Sequence, residues 1–103
     1  MSAPKPGVRL TRKADQDFED ILLFTRRTWG AQQKTTYRKA IGQALRRLGD
    51  HPDIGQPEDD LFPGCRGLLV EQHIVYYHQP ASAEIVVVRI PHARQDAAGK
   101  VRP

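Results

Sequence analysis

Cysteine is almost absent from this chain: Cys65 stands alone among 103 residues. A single thiol excludes an internal disulfide and a cysteine-based zinc site, which fits a reducing, cytoplasmic setting. Long apolar runs are missing too, none approaching the roughly 18 residues that a membrane span needs. The first seven residues, Met1 to Gly7, have no apolar core of the signal-peptide kind and read as a flexible leader. The histidines, His51, His73, His78 and His92, are scattered without metal-ligand spacing, and no glycine-rich phosphate cradle or serine nucleophile motif occurs. The sequence therefore predicts no metal, no cofactor and no small-molecule substrate.

What is present suits one modest domain covering residues 1–103. A chain of this length buries roughly two thirds of the surface that its unfolded form exposes. Its 39% hydrophobic content is ordinary for a globular fold. Sixteen Lys and Arg against twelve Asp and Glu leave a net charge of +4, which favours an anionic partner, either nucleic acid or an acidic protein segment.

Val8-Arg9-Leu10 reads as a short strand, and Thr11 is placed to cap a helix. Ala14, Phe18, Ile21, Leu22, Thr25 and Trp29 then follow the 3.6-residue period of an amphipathic helix. Trp29, on that stripe, is expected in the core. Gly30 interrupts the pattern as a helix-ending residue that tolerates positive φ. Tyr37, Ile41, Ala44, Leu45 and Leu48 form a second apolar face, with Lys34, Arg38, Lys39, Arg46 and Arg47 on much of the remainder. Residues 51–60 hold acids and prolines without any period and read as a loop.

Phe62-Pro63-Gly64-Cys65 places proline and glycine where a type II turn needs them. Residues 66–71, 73–78 and 84–90 are short and rich in Val, Ile, Leu and Tyr, and their close linkage predicts an antiparallel meander. The expected fold is α+β: an N-terminal strand, a helical hairpin and a three-stranded antiparallel meander, forming one sheet with the helices on one face. Within the strand, Tyr76 and Tyr77 should point to opposite faces, one to the core and one to solvent or a partner. After Pro91, residues 92–103 read as a polar tail able to contact a partner.

Several features recur together in one order from about Val8 to Asp96: Trp29-Gly30 with Gln33 and Tyr37, Pro52 with Ile54-Gly55, Phe62-Pro63-Gly64 with Arg66, His73 with Tyr77, and Arg89-Ile90-Pro91-His92 followed by Arg94 and Asp96. In this arrangement they resemble the ParE branch of the RelE/ParE toxin superfamily. The resemblance implies the toxin of a type II toxin–antitoxin pair, neutralised by a cognate ParD-like antitoxin in a hetero-oligomer, with DNA gyrase as its target. The residues it suggests for partner binding are Arg66, Tyr77, Arg89, His92 and Arg94.

The sister RelE branch shares the fold but cleaves messenger RNA on the ribosome, so fold alone does not choose between them. Metal-free RNA cleavage needs a base for the 2′-hydroxyl, cations for the phosphorane charge and an acid for the leaving oxygen. Glu58, Arg66, Arg89, His92 and Arg94 are the available groups, with Arg66, Arg89 and His92 the core of any nuclease set. Ile74 and Ala93 stand where ribonuclease relatives carry arginine and tyrosine, so the set is incomplete and no catalytic residue is assigned. Arg66 and Arg89 are expected to pair with the acids of Glu58-Asp59-Asp60 or to be solvated.

Overall fold

The computed structural model describes residues 7–82 and 84–94. Strand β1 (Val8–Leu10) leads into helix α1 (Arg12–Trp29). The Thr11 hydroxyl accepts the backbone N–H of Ala14 at 3.1 Å, satisfying one of the donors that a helix start leaves open, and donates to the Val88 carbonyl at 3.1 Å. One threonine thereby caps the helix and ties it to the sheet. Gly30, at φ 96°, breaks the chain between α1 and α2 (Ala31–Asp50), and its N–H closes on the Arg26 carbonyl.

The strands β2 (Gln56–Pro57), β3 (Arg66–Val70), β4 (His73–His78) and β5 (Ile85–Arg89) complete a five-stranded sheet in the order β1-β5-β4-β3-β2. The expected meander is β3-β4-β5, antiparallel throughout. Two features of the sheet differ from expectation. β1 lies parallel to β5, so the sheet is mixed rather than wholly antiparallel. Parallel pairing requires a long crossover, and the α-helical hairpin together with the meander supplies it. Residues 51–60 also contain a strand, because Gln56 and Pro57 pair with Gly67 and Arg66. A two-residue edge strand has no periodicity to read and tolerates the proline, whose missing N–H costs no ladder bond on an outer edge.

The core joins Ala14 and Ile21 of α1, Ile41, Ala44 and Leu48 of α2, and the alternate residues Val75, Tyr77, Ile85 and Val87 of the central strands. Both helices therefore pack on one face of the sheet. Burying a side chain such as Ile41 or Leu48 contributes about 1.5–3 kcal/mol. The type II turn forms as expected, with Gly64 at φ 84° and the Cys65 N–H donating to the Phe62 carbonyl.

Trp29 is 70% exposed, not in the core. The 18 residues of α1 span about 27 Å, whereas β1 and β5, the strands it packs on, have three and five residues, or about 10–17 Å. The last turn of the helix, past Thr25, overhangs the sheet and leaves Trp29 uncovered, while Phe24 is exposed because it lies off the buried stripe of Ala14, Ile21, Leu22 and Thr25. Tyr76 and Tyr77 are both buried, although they point to opposite faces. Tyr77 enters the core, while the Tyr76 ring lies over Gly67, where any Cβ would stand 3.0 Å from it. A register shift between the two tyrosines lets the strand carry both.

The tail's first residues are held by the sheet: His92 bridges to His73, and the Ala93 N–H donates to the Gln72 carbonyl at 2.9 Å. The rest of the expected tail, residues 95–103, and residues 1–6 of the leader lie outside the described residues. Among the described residues no helix is long and apolar enough to cross a membrane.

Candidate partner-binding site

The overhang of α1 and the start of β4 create a cleft of about 540 Å³ between Phe24, Trp29, Gln33, Tyr37, Gln72 and His92. It adjoins a second cleft of about 410 Å³ that shares Phe24, His73 and His92 and extends to Asp17, Asp20 and Arg89. Phe24 at 65% exposure and Trp29 at 70% leave large apolar surfaces in water at the mouth. Apolar rings beside a few polar groups are the composition of a protein-binding surface.

The floor is a network of rings and hydroxyls. The Tyr37 hydroxyl accepts the Gln72 N–H at 3.3 Å and is hydrogen-bonded to His73 Nδ1. Burial, the largest influence, raises the Tyr37 pKa, so the phenol keeps its proton and donates it to Nδ1. Burial likewise pushes the His73 imidazole down to about 4, with His92 adding to the fall and Asp17 opposing it. His73 is thus neutral near pH 7, with its proton on Nε2. The His92 ring lies edge-on to His73 with centroids 5.2 Å apart. His92 Nδ1 accepts the Arg94 N–H at 3.1 Å, which leaves the proton on Nε2, 3.4 Å from Gln72 Oε1.

Arg89 does not meet the acids of residues 58–60. It grips Asp17 of α1 with Nε at 2.7 Å and Nη2 at 3.2 Å, while the Ile90 N–H also donates to Asp17 Oδ2 at 2.9 Å. The hydrogen bonds to Asp17, more than its charge, raise the Arg89 pKa. Arg66 also misses those acids. Its Nη1 donates to the Gly55 carbonyl at 2.7 Å and to the Asp53 carbonyl at 3.3 Å. Both arginines found partners in tertiary structure that sequence proximity did not suggest.

Tyr77 is 1% exposed, and its hydroxyl donates to the Pro52 carbonyl at 2.7 Å while accepting the Gly55 N–H at 2.9 Å. It holds the loop at residues 52–55 and offers no surface to a partner, which corrects its placement among contact residues. Pro52, Gly55, Arg66 and Tyr77, read together as motif residues, form one loop anchor. A Cβ at Gly55 would lie 2.7 Å from the Tyr77 ring, so only glycine fits there.

The structure brings Arg89 and His92 to one cleft, with Arg94 beside them, and leaves Arg66 apart. Arg66 pairs with Tyr77 at one end of β4 and His92 with His73 at the other. Four residues of strand, about 13 Å, separate those ends. Glu58 is also at the far end, its N–H bonded to the Cys65 carbonyl beside β3. Sequence reasoning missed Phe24, Gln72 and Asp17 as parts of this region. Asp17 carried a signal as an acid in the helix's first turns, but nothing local linked it to Arg89, 72 residues away.

Residues 8–97 match the family described as the ParE toxin of the type II toxin–antitoxin system parDE. Toxin ParE1 of Caulobacter vibrioides is 30% identical over 89 residues, covering 86% of this chain and 91% of that protein. Toxin ParE of Escherichia coli is 34% identical over 87 residues, covering 84% of each. Among solved structures, the chromosomal ParDE toxin–antitoxin system from P. aeruginosa superposes with a TM-score of 0.72 at 21% identity, over 85% of this chain and 96% of that one.

Proposed function

The chain belongs to the ParE toxin family of type II toxin–antitoxin systems, and from that premise we propose that it acts in the cytoplasm as an inhibitor of DNA gyrase held inactive by a cognate ParD-like antitoxin. The family match over residues 8–97 is the observation that carries this reading. Geometry adds support for a binding role over a catalytic one. Arg66 stands a strand-length from His92, and both candidate arginines are engaged by groups of their own chain. A phosphorane needs its cations and its acid around one atom, and this arrangement does not gather them.

Two surfaces serve the proposed partners. An antitoxin segment that folds on binding gains most from Phe24 and Trp29, where apolar area is already exposed and no rearrangement is needed. Arg94 and the outer part of Arg89 form the cationic rim of the same region, with the His92 ring beside them, and these three are the proposed contacts to gyrase. Arg66 contributes to either partner by holding the loop at residues 53–55.

The test is induction of the chain in bacteria, followed by detergent lysis and recovery of protein-linked DNA breaks. The reading expects such breaks, their suppression by co-expressed antitoxin, and intact transcripts. Degraded transcripts without protein-linked DNA would transfer the function to the ribosome-dependent nuclease alternative. For the rim, Arg94→Ala, outside the aromatic cleft, should reduce toxicity while antitoxin still binds; undiminished toxicity would remove this residue from the target contact.

A further inference from the structure

Helix α2 carries Lys34, Arg38, Lys39, Arg46 and Arg47 against the single acid Asp50. That surplus of four equals the net charge of the whole chain, so the remainder is balanced. Helical geometry sorts the five into two neighbouring i, i+4 ridges, Lys34-Arg38-Gly42-Arg46 and Thr35-Lys39-Gln43-Arg47, running about 20 Å along the axis. The Arg46 guanidinium bends back over Gly42, where Nη1 lies 3.8 Å from the position a Cβ would occupy, and so points along its ridge toward Arg38. None of the five makes an ion pair among the described residues. Glu19 and Asp20 of α1 face Lys34 and Arg38 across a shallow cleft; the C-terminal half of the ridges lies beyond them.

The side chains between the cations decide the class of partner. They are Thr35, Gly42 and Gln43, with Gln32 and Thr36 alongside; the apolar residues there are the small Ala31 and Leu45, which packs against the core. A protein interface needs buried aromatic or aliphatic anchors, and the exposed aromatic ones on this hairpin, Phe24 and Trp29, lie on α1; Leu23 borders only the N-terminal end of the ridges, beside Lys34 and Arg38. Cations interleaved with hydroxyl and amide groups suit a phosphodiester backbone instead. A 20 Å ridge spans about six base pairs at 3.4 Å each.

We propose that the two basic ridges of α2 bind the phosphate backbone of duplex DNA without reading its sequence. The surface is separate from the cleft at Phe24 and Trp29 and independent of the gyrase reading, since DNA binding is measured with neither gyrase nor antitoxin present.

The experiment is fluorescence anisotropy of a labelled 20-base-pair duplex of arbitrary sequence, titrated with the purified full chain between 50 and 200 mM KCl. If four to five phosphates are contacted, log K falls against log salt with a slope of about −4. Arg38→Gln with Arg46→Gln should weaken binding at least tenfold at 50 mM salt and reduce the slope by about 2. The charge-matched control, Arg12→Gln with Lys13→Gln on α1, should change affinity less than threefold. Thermal melts confirm that both variants fold. Equal losses from the two pairs would assign the effect to net charge alone and overturn the proposal. So would absence of binding at 50 mM salt, or displacement by polyglutamate as effective as by unlabelled duplex, which would make the ridge an acidic-protein surface.

Discussion

Acidification should destabilise this protein well before its carboxylates protonate, because of His73. Its imidazole is neutral in the fold, held at about 4 by burial, while an unfolded histidine titrates near 6.5. Between those values the unfolded chain binds a proton that the folded chain refuses, so stability falls as pH drops through this window and is complete above it. The full shift corresponds to about 3 kcal/mol, but a half-buried ring is screened by solvent, and about 1–2 kcal/mol is the expected loss. Urea denaturation at half-unit steps from pH 7 to 5 reads the effect above the main carboxylate range. With m near 1.5 kcal/mol/M, a loss of about 1 kcal/mol moves the midpoint by ~0.7 M. His73→Asn keeps an oxygen where Nδ1 accepts from Tyr37 and removes the titration, so its midpoint should change less over the same interval. Parallel pH profiles for the two proteins would refute the assignment.

Other substitutions probe the remaining pieces. Gly55→Ala drives a methyl group into the Tyr77 ring and disturbs the bond from its own N–H to the Tyr77 hydroxyl; a loss of about 2–4 kcal/mol should appear as a melting temperature lowered by more than ~8 °C. Asp17→Asn leaves Arg89 without its carboxylate in a largely covered site, and chemical denaturation should register about 2 kcal/mol less stability with m unchanged. Trp29→Ala and Phe24→Ala should change stability by no more than about 0.5 kcal/mol, because both rings are already in water. Titration calorimetry against a cognate antitoxin should nevertheless show each weakening binding about tenfold or more. Unchanged affinity for both would remove the aromatic cleft from the antitoxin interface.

The strongly periodic parts of the fold were legible in the sequence for physical reasons. Thr11 caps because a hydroxyl before an apolar helical stripe has a ready donor to accept, and Gly30 and Gly64 adopt the positive φ that their contexts required. The antiparallel meander follows from strand-length segments joined by tight turns. What stayed hidden depends on how elements meet. Trp29 lies on the correct stripe, yet the sheet ends beneath it, and stripe geometry carries no information about the length of the opposing layer. Gln56 and Pro57 became a strand only because β3 offered an edge. Both motif arginines had acids nearby in sequence and chose partners elsewhere, Asp17 for Arg89 and two backbone carbonyls for Arg66.

The candidate site divides the same way. His92 and Arg94 were visible as a basic segment following the last strand. The Tyr37–His73–His92 network was not, because Tyr37 fits an apolar helix face and His73 a strand start, and only the packed hairpin brings their polar atoms together. Of the motif residues Pro52, Gly55, Arg66 and Tyr77, the sequence suggested Arg66 and Tyr77 for partner binding, whereas the four together form a loop anchor. A recurring pattern can preserve a fold as readily as a contact surface.

The most direct measurement is a purified gyrase supercoiling and cleavage assay with this protein, run with and without ATP beside a ribosome-programmed transcript. The account predicts linear, gyrase-linked DNA and an intact transcript, reversed by prior addition of antitoxin. Cut transcript with undisturbed supercoiling would contradict it and make Arg66, Arg89 and His92 the residues to mutate.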